Sequence, residues 1–592
     1  MRAPAFCKTK CRINDWSVEN DSEIAYDALK VLVGWRQNEE GASVLRYVML
    51  FLLGLAVLVP GITQLPPIDR DEARYLQATK QMVESGDFVD IRFQTEPRYK
   101  KPIGIYWLQS LSVGLTGGGE DAPVAAYRMV SVVAVAASVA SIYWLGQAMF
   151  GPAAGLISAL MLAGLFGAGF EGRLAKTDSV LLLVSILAQG FLARIYLAGR
   201  EGTKAPASMA WGFWVAQGVA ILVKGPITPF LSALTVLFIM IFDRGNGRKW
   251  LADLRPLRGI ALMVLIALPW LALITWKSGG AFWHEALGRD MLGKVASGQE
   301  SHGAPPGYYI VTYSLYMWPF GLIAIIGGTN GLRRMFTDPR LMFCVAWYIP
   351  LWLIFELIPT KLPHYVLPVY PAVVLLGGWF LSLPPGDLPR PLWWQRLLHG
   401  ITGFGVVVVT LGFSVIAVAV PIYIAGNFSF WSIPVVLLLL MACWFGLGYG
   451  LELSPIRRVL VATLTATTAY GLMFSAILPN VDQIWVSQQI ADRFEAEKAC
   501  EDSVLAAVTY HEPSLVFLTG TNTLLTGPDS AANHLLKDPE CAMAAVPDED
   551  APAFLTALSA SDARAEGGEP ISGFNYSKGK QTSVRLYRIV GN

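Results

Sequence analysis

Thirteen apolar segments limit what this chain can fold into more than any other feature of its sequence. Each is close to the length that a helix needs to cross a hydrocarbon core of roughly 30 Å. Because backbone groups in lipid must find hydrogen-bond partners within the protein, such segments fold as helices. We predict spanning helices at residues 44–62, 124–149, 153–170, 179–197, 209–223, 227–242, 259–276, 308–328, 341–358, 365–383, 401–424, 430–450 and 459–478.

The composition indicates the same class of protein. Hydrophobic residues make up 54% of the 592 residues and charged residues only 15%, whereas soluble domains carry about 25% charged residues. The net charge of +1 provides no basic excess that could neutralise nucleic-acid phosphates. The sequence therefore predicts an α-helical polytopic membrane protein without a nucleic-acid partner.

The distribution of basic residues predicts the orientation. With the N-terminus inside, alternate loops face the cytoplasm, where Lys and Arg are concentrated in membrane proteins. Counting the short apolar stretch 103–116 as a further span would move every later loop to the opposite side, so we predict that it lies along the outer interface. It then belongs to a periplasmic loop, 63–123. The basic residues of the predicted inner loops are Arg200, Lys204, Arg244, Arg248, Lys249, Arg255, Arg333, Arg334, Arg340, Arg390, Arg396, Arg457 and Arg458.

The N-terminal segment is polar and mixed in charge. Residues 1–43 lack the early apolar core of a cleavable signal peptide, so we predict a cytoplasmic segment. Its two cysteines, Cys7 and Cys11, have no further Cys or His nearby to complete a metal site. Free thiols are expected there, because the cytoplasm is reducing.

The C-terminal part differs from the rest of the chain. Residues 480–592 combine short apolar runs with helical patterns, which predicts a small soluble α/β domain after a membrane domain at residues 44–479. Thirteen crossings place this domain in the periplasm, on the outer face of a bacterial inner membrane. Cys500 and Cys541 are expected to form a disulfide in that oxidising compartment. We predict that the domain is a lid or a docking module.

Charged residues collect in the predicted outer loops. Two acids, Asp71 and Glu72, follow the first span, and the basic pair Lys100-Lys101 comes later in the same loop. Exported loops are normally poor in Lys and Arg, and ionisable groups beside a bilayer mark functional sites. A ligand that carries a phosphate would account for the cations. Further outer candidates are Asp178, Lys224, Lys361, His302, His364 and Tyr365.

Several short motifs carry a family resemblance. The run Asp71-Glu72-x-Arg74-Tyr75 is followed by Ser85-Gly86-Asp87-Phe88, by Lys101-Pro102 and by Tyr106-Trp107. Together they resemble bacterial polyprenyl-phosphate-sugar-dependent glycosyltransferases of the GT-C fold, which include the lipid A aminoarabinose transferase and the protein O-mannosyltransferases (families 39 and 83). The Gly-Arg-x-x-x-x-Asp, Lys-Gly-Pro and Lys-Leu-Pro-His-Tyr patterns that end at Asp178, Pro226 and Tyr365 are similar to later motifs of that family.

Two departures from the family pattern concern the substrates. The aminoarabinose transferases usually have Glu-Lys-Pro-Pro where this chain has Lys100-Lys101-Pro102-Ile103. Their outer loop also tends to have Glu-His where Glu285-Ala286 stands here. The resemblance therefore implies a shared catalytic scaffold and leaves the sugar and the acceptor open.

The resemblance implies an inverting transfer of a sugar from a polyprenyl phosphate to a lipid acceptor such as lipid A. Cations would stabilise the departing phosphate, and a carboxylate would orient or deprotonate the acceptor. The sequence requires no cofactor, although the carboxylates could hold a divalent ion. The implied residues are Asp71, Glu72 and Asp178 for catalysis or for a metal, Arg74, Lys101, Lys224 and Lys361 for the donor phosphate, and Tyr75, Tyr106, His302, His364 and Tyr365 for substrate binding.

Each candidate also has an ordinary structural interpretation. Asp71, Glu72 and Asp178 could cap helices, whose N-termini favour negative charge. The lysines could extend their side chains along the membrane boundary, and the histidines could simply satisfy backbone groups.

Other functions also fit the sequence. They are a protein O-glycosyltransferase of the same fold, an oligosaccharide ligase or polymerase, and a transporter or flippase for a lipid-linked saccharide. A carrier would distribute charged or Gly/Pro-broken helices through the membrane, whereas an enzyme would cluster its ionisable groups at one face. The expected partners are the lipid-linked donor, a lipid or protein acceptor and membrane lipids.

Overall fold

The computed structural model describes residues 39–243, 248–293, 303–384, 386–387, 390–450, 452–559, 561 and 563–590. The predictions for residues 1–38, which include Cys7 and Cys11, and for His302 lie outside the described residues. Within the described part, eight helices are long and apolar enough to cross a membrane, by length and composition, and four shorter apolar helices accompany them. The protein is a multi-pass membrane protein.

Every predicted spanning segment coincides with one helix or with a run of consecutive helical elements. The number of crossings stays a prediction. The helices of the membrane domain and its outer loop are α1 (Glu39–Leu58), α2 (Asp71–Ser85), α3 (Gly104–Thr116), α4 (Val124–Phe150), α5 (Pro152–Gly164), α6 (Phe166–Glu171), α7 (Asp178–Arg200), α8 (Ala207–Lys224), α9 (Ile227–Phe242), α10 (Pro256–Lys277), α11 (Tyr308–Tyr316), α12 (Gly321–Arg334), α13 (Pro339–Leu357), α14 (Tyr370–Ser382), α15 (Trp393–Ile424), α16 (Ser432–Gly446) and α17 (Pro455–Leu472).

Two predicted spans are interrupted, each between two helices. The first break, at Leu165, separates α5 from α6, and the second, around Pro319, separates α11 from α12. Proline ends a helix because it lacks a backbone donor and its ring clashes with the preceding turn. The two breaks lie side by side, since the Phe166 amide donates to the Trp318 carbonyl at 2.9 Å. Backbone groups freed at this depth thus find partners within the protein.

Small residues allow several helices to approach closely. A Cβ atom added to Gly327 of α12 would lie 2.3 Å from the Leu376 carbonyl oxygen of α14, and one added to Gly378 would lie 2.1 Å from Ser158 Oγ of α5. Close backbone approach of this kind is typical of helix packing in membranes. It fixes α14, and the turn before it, against the rest of the bundle.

The outer loop between α1 and α4 has structure of its own. It contains α2, α3 and a small hairpin of β1 (Arg92–Phe93) and β2 (Glu96–Pro97). Helix α3 has 13 residues, too few for an untilted span, and it packs on α2 and α4. It exposes Trp107, Leu111 and Leu115. Its placement along the interface stays a prediction.

The C-terminal domain is a small α/β domain, as predicted. Its mixed sheet has the order β4-β3-β5-β8-β6, with β7 paired to β8; β3, β4 and β5 are parallel, and β8 is antiparallel to β5. Helices cover both faces of the sheet. The elements are α18 (Val486–Glu497), β3 (Leu505–Val508), α19 (Pro513–Thr519), β4 (Leu524–Thr526), α20 (Pro528–Lys537), β5 (Met543–Pro547), α21 (Ala551–Ser559), β6 (Ala565–Gly567), β7 (Ile571–Asn575) and β8 (Lys580–Ile589).

One disulfide links two loops of this domain. Cys500 and Cys541 are bonded, with their Cα atoms 5.4 Å apart, inside the usual range for a disulfide. The other described cysteines, Cys344 and Cys443, are free and buried. The bond closes the segment that carries β3, α19, β4 and α20, and so restrains the part of the domain that faces the membrane domain.

Candidate active site

A cavity of about 340 Å³ opens where the ends of several helices meet the outer loop. Its walls come from the start of α2, the turn before α3, the ends of α7, α8 and α9, and the turn before α14. Chain segments that are distant in sequence thus bring their charged ends together. The lining residues with polar side chains are Asp71, Arg74, Tyr75, Arg98, Lys100, Lys101, Lys176, Thr177, Asp178, Lys224, Thr360, His364 and Tyr365.

Asp71 is the first residue of α2, and its side chain is open to the cavity. Its enclosure in the protein opposes ionisation, but the interactions with Lys176, His364 and Arg98 outweigh that effect and lower the pKa of the Asp71 carboxyl. A carboxylate at a helix N-terminus is favourable in addition. Asp71 is therefore held ionised, with cations around it.

Asp178 is the second acid of the cavity and is buried beside a lysine. Asp178 begins α7 and Lys224 ends α8, so each helix terminus presents the side-chain charge that its dipole favours. Lys224 Nζ lies 2.5 Å from Asp178 Oδ1, and 5.8 Å from the centre of the Tyr365 ring. Because Asp178 is already paired with Lys224, it is better suited to position that lysine than to act as a base.

A buried group of ionisable residues continues inward from Asp178. Lys176 Nζ lies 2.9 Å from Glu171 Oε2, and the Tyr316 hydroxyl donates to Glu171 Oε1 at 3.1 Å. His364 stands between the two acids, with Nδ1 3.8 Å from Glu171 and Nε2 3.9 Å from Asp178. The Glu171 carboxylate raises the pKa of Lys176 despite its burial. Lys176 is thus kept charged at the cavity wall.

Arg98 forms the opposite wall, together with two tyrosines. Its guanidinium lies 4.6 Å from the centre of the Tyr75 ring and donates to the Tyr106 hydroxyl. Both rings are buried, and cation–π contact with a desolvated guanidinium is favourable. Tyr75 faces the cavity, whereas Tyr106 lies behind it. The prediction that Tyr106 binds substrate therefore needs correction, because its hydroxyl accepts from Arg98 and fixes that guanidinium instead.

The remaining predicted cations differ in position. Arg74 lies one turn after Asp71 on α2, lines the cavity, and forms no hydrogen bond or ion pair with another of the described residues. Lys101 also lines it and donates to the Lys100 carbonyl at 3.0 Å. Lys361 does not line the cavity: it is buried and donates to the carbonyls of Ala304 (2.9 Å) and Ile358 (2.6 Å). The prediction that Lys361 binds phosphate therefore needs correction. Its ammonium group instead links the backbone just before α11, at Ala304, to the backbone just after α13, at Ile358.

The prediction that Glu72 acts in catalysis or binds a metal also needs correction. Glu72 is fully buried and forms a two-pronged ion pair with Arg128, with Nε–Oε1 and Nη2–Oε2 both 2.8 Å. The carboxylate also accepts from the amides of Ile68 (3.0 Å) and Ala175 (2.8 Å). Glu72 thus points away from the cavity and joins α2 to the segment that carries Lys176 and Asp178. Arg128 completes the junction by donating to the carbonyls of Ile62, Leu65 and Pro66.

The three acids that the sequence offered as possible metal ligands do not form one site. Glu72 is occupied by Arg128, and Asp178 is paired with Lys224. Among the described residues, the one group of His, Cys, Asp and Glu close enough to share an ion is Cys500, Asp502 and Cys541, and its two thiols form the disulfide.

Sequence reasoning did not select Arg98, Lys176 or Glu171 as site residues. Arg98 and Lys176 carry the same signal as Lys101, a cation in a predicted outer loop. Nothing in the sequence marked Glu171 by itself as a site residue, because its role depends on α6 placing it next to Lys176 and His364. Of the predicted residues, the cavity brings together Asp71, Arg74, Tyr75, Lys101, Asp178, Lys224, His364 and Tyr365.

Known protein sequences match a large part of the chain. Residues 100–273 match the family described as dolichyl-phosphate-mannose-protein mannosyltransferase. The undecaprenyl phosphate-α-4-amino-4-deoxy-L-arabinose arabinosyl transferase of Pectobacterium atrosepticum is 26% identical over 359 residues, which are 58% of this chain and 61% of that protein. A second such transferase from Proteus mirabilis is 23% identical over 389 residues, 64% of this chain and 66% of its own. The chain thus spans about three fifths of the length of these curated relatives.

Solved structures show the fold. ArnT from Cupriavidus metallidurans bound to undecaprenyl phosphate superposes with a TM-score of 0.71 at 17% identity, over 91% of this chain and 97% of that one. The archaeal oligosaccharyltransferase AglB from Archaeoglobus fulgidus superposes with a TM-score of 0.50 at 11% identity, over 96% and 74% of the two chains. The chain has the ArnT fold, and the resemblance that its motifs indicated is confirmed.

Proposed function

We propose that this protein is an inverting glycosyltransferase that moves a sugar from a polyprenyl phosphate to a lipid acceptor at the outer face of the membrane. One observation carries the proposal: the ionised Asp71 faces Lys176, Arg98 and the Lys224–Asp178 pair across a single cavity. The ArnT fold and the relatives named for undecaprenyl-phosphate sugars support it.

The cations suit the leaving group. When the bond between the sugar and the phosphate breaks, the lipid phosphate gains negative charge. Positioned cations stabilise such developing charge most effectively where water is largely excluded. Lys224, Arg74 and Lys101 are the proposed donor-phosphate ligands, and Arg98 and Lys176 join them because they share the cavity wall.

Asp71 is the proposed catalytic carboxylate. At the sugar carbon its negative charge would stabilise the positive charge that develops, and it would orient the acceptor for attack on the side opposite the phosphate. A carboxyl whose pKa is lowered is a weak base, and general-base catalysis works best near the operating pH. Asp71 is therefore better suited to an acceptor that is already ionised, such as a lipid phosphate, than to a hydroxyl group.

A protein hydroxyl is the second candidate acceptor. The family match over residues 100–273 favours it, because the matching family is described as protein mannosyltransferases. The lowered pKa of Asp71 argues for the lipid phosphate instead.

A carrier for lipid-linked saccharides is less well supported. Buried charges cluster at the predicted outer ends of the helices, as Glu72, Arg128, Glu171 and Asp178 do, and Arg458 is the exception in the described membrane domain. A carrier would place such groups along the path through the membrane. We propose the orientation given by the basic inner loops, with the N-terminus inside and residues 480–592 outside.

Transfer assays with purified protein in detergent test the proposal. Undecaprenyl phosphates that carry a pentose, a hexose or an amino sugar are offered with lipid A or with a hydroxyl-rich peptide. We expect labelled sugar on lipid A, formed at least about 100-fold more slowly with Asp71→Asn, whereas Asp121→Asn, an exposed acid of the same loop, serves as the matched control. Labelling of the peptide alone would favour the protein acceptor, and donors left intact with every acceptor would contradict the proposed reaction.

A further inference from the structure

The residue before Asp71 has a backbone conformation that is rare for any residue except glycine. Arg70 has φ 70° and ψ −106°, outside the regions that a side chain with a Cβ atom adopts comfortably. Strain of this kind persists only where the surroundings enforce it, and it is concentrated at functional sites. Arg70 lies between Asp69, which faces the C-terminal domain, and Asp71, which faces the cavity.

The C-terminal domain forms hydrogen bonds to this turn. The Tyr576 hydroxyl accepts from the Asp69 amide at 2.8 Å, and the Ser514 amide donates to the Asp69 carboxylate at 3.1 Å. The Arg70 guanidinium donates to the Ser577 carbonyl. Both residues that precede Asp71 are thus bonded to a domain that begins some four hundred residues later in the sequence.

Hydrogen bonds inside the C-terminal domain fix the positions of the groups that bind Asp69 and Arg70. The Glu512 carboxylate accepts from Asn575 Nδ2 (2.8 Å) and from Ser577 Oγ (2.7 Å). The Ser577 amide donates to Asn575 Oδ1 at 3.0 Å. The segment 575–577 is therefore tied to the residue that precedes α19, and the two segments bind Asp69 and Arg70 as one unit.

The rest of α2 is held from the same side. Gln77 Nε2 donates to Thr521 Oγ1 at 2.7 Å, and that hydroxyl donates to Glu84 at 2.6 Å. The Lys80 ammonium lies 5.6 Å from the centre of the Phe517 ring. Because residues 70, 77, 80 and 84 recur at helical spacing, the domain covers one face of α2. The residues that line the cavity, Asp71, Arg74 and Tyr75, lie on another.

We propose that the C-terminal domain is a positioning element for sugar transfer, which forces Arg70 into its strained conformation and so directs Asp71 into the cavity. This inference rests on the proposed function, since it assigns a role to the Asp71 carboxylate in transfer. It replaces the expectation of a lid or docking module. Without the contacts to Tyr576, Ser514 and Ser577, the turn would relax toward an ordinary conformation and carry Asp71 away from the reacting atoms.

The sharpest test compares two substitutions of one residue. Arg70→Gly and Arg70→Ala both remove the guanidinium that binds Ser577, but only glycine adopts a positive φ without strain. We expect Arg70→Ala to lower kcat about 30-fold and Arg70→Gly about threefold, with KM for the donor within about twofold in both, because misplacing a catalytic group by about 1 Å can cost up to about 100-fold.

A second pair of variants probes the contact from the other domain. Tyr576→Phe removes the hydroxyl that holds the Asp69 amide, and we expect a fall in kcat of about tenfold. Adding Arg70→Gly should reduce the loss to about threefold, the loss expected for Arg70→Gly alone. Tyr587→Phe is the matched control, because it removes a tyrosine hydroxyl on β8 of the same domain, away from α2.

A readout that needs no catalysis separates this inference from the proposed function. Hydrogen–deuterium exchange of the amides of residues 68–76 should rise in Tyr576→Phe and Arg70→Ala and stay near the wild-type rate in Tyr587→Phe. Unchanged exchange, or equal kcat for Arg70→Gly and Arg70→Ala, would overturn the positioning role even where sugar transfer is observed. Raised exchange in a protein that transfers no sugar would support the mechanical coupling while the proposed function fails.

Discussion

Two neighbouring carboxylates show how the partners of a residue decide its role. Asp71 and Glu72 differ by one methylene group and one position in the sequence. Glu72 is neutralised by Arg128 and by two backbone amides, whereas Asp71 remains open to the cavity and is surrounded by cations at longer range. The sequence predicted that both acids act in catalysis or bind a metal. It could not separate them, because Arg128 lies 56 residues away and its burial depends on the packing of α4 against the outer loop.

Replacing Asp71 should affect turnover far more than folding. Asp71→Asn keeps the size of the side chain and removes only its charge at the N-terminus of α2, so we expect stability to change by a few tenths of a kcal/mol. Loss of the charge should lower kcat at least about 100-fold, equivalent to about 2.7 kcal/mol of barrier. Sugar transfer at saturating donor, measured on protein whose thermal unfolding matches the wild type, checks this. Near-normal turnover would leave Asp71 with no role beyond a favourable charge at the N-terminus of α2.

Replacing Glu72 should affect folding far more than turnover. Glu72→Gln leaves the buried Arg128 without its counter-charge, and breaking a buried ion pair costs about 3–5 kcal/mol. We expect poor yield and a lower unfolding temperature, with near-normal turnover in the fraction that folds.

The double variant Glu72→Met with Arg128→Met distinguishes the ion pair from a requirement for the acid itself. Removing both charges should destabilise the protein less than removing one, because no uncompensated buried charge remains. A Glu72→Gln protein of normal stability and abolished turnover would return Glu72 to catalysis.

At the scale of elements, apolar length and charge predicted the helices well and their interruptions poorly. The thirteen apolar segments coincide with helices because their backbone groups can be satisfied only internally. The break at Leu165 carries no Pro, and it depends on the partner that the Phe166 amide finds at Trp318. The charged ends of α7 and α8 were predicted to share a face, but the 2.5 Å contact of Asp178 with Lys224 follows from how the two helices pack.

The docking of α19 on the start of α2 should depend on pH. Burial, to which the Glu512 carboxylate adds, outweighs the hydrogen bond from Ser514 and raises the pKa of Asp69 to about 6. The pKa of an unfolded Asp is about 3.9, so the docked state binds the proton more tightly than the undocked state. The resulting stabilisation is complete below about pH 4 and is lost as the pH rises through about 6.

Protection of the α19 amides from hydrogen exchange measures this dependence. It should be greater at pH 5 than at pH 7.5 once exchange is corrected for its intrinsic pH dependence. The groups near the Asp69 carboxylate are Glu512, Tyr510 and Tyr576, and the two tyrosines do not titrate in this range. Asp69→Asn should remove most of the difference, and an undiminished difference would assign it to Glu512 or to other acids.

At the scale of the whole molecule, the sequence predicted two parts and the side on which they meet, but not how they are joined. The alternating patterns after residue 480 predicted an α/β domain. The contacts of Asp69, Arg70 and Gln77 with residues 514–577 left no signal in either part, because polar side chains at a domain interface look like any solvated surface. The predicted disulfide pairing depended on the compartment, and hence on the orientation.

Orientation is the prediction on which the shared outer cavity depends, and single cysteines can test it. We choose exposed positions in loops on opposite predicted sides: Glu120, between α3 and α4, and Thr337, between α12 and α13. In a background with Cys7→Ser and Cys11→Ser, the remaining cysteines are either buried or bonded to each other, so the introduced thiol dominates the labelling.

A membrane-impermeant maleimide should modify Glu120→Cys in intact cells and Thr337→Cys only after the membrane is opened. The physical reason is the basic inner loops, which are retained on the cytoplasmic side. Labelling of both positions from outside would mean that an odd number of the helices between them does not cross. The reverse pattern would place the Asp71 cavity on the cytoplasmic side, out of reach of an acceptor in the outer leaflet, and the proposed reaction would have to be abandoned along with the topology.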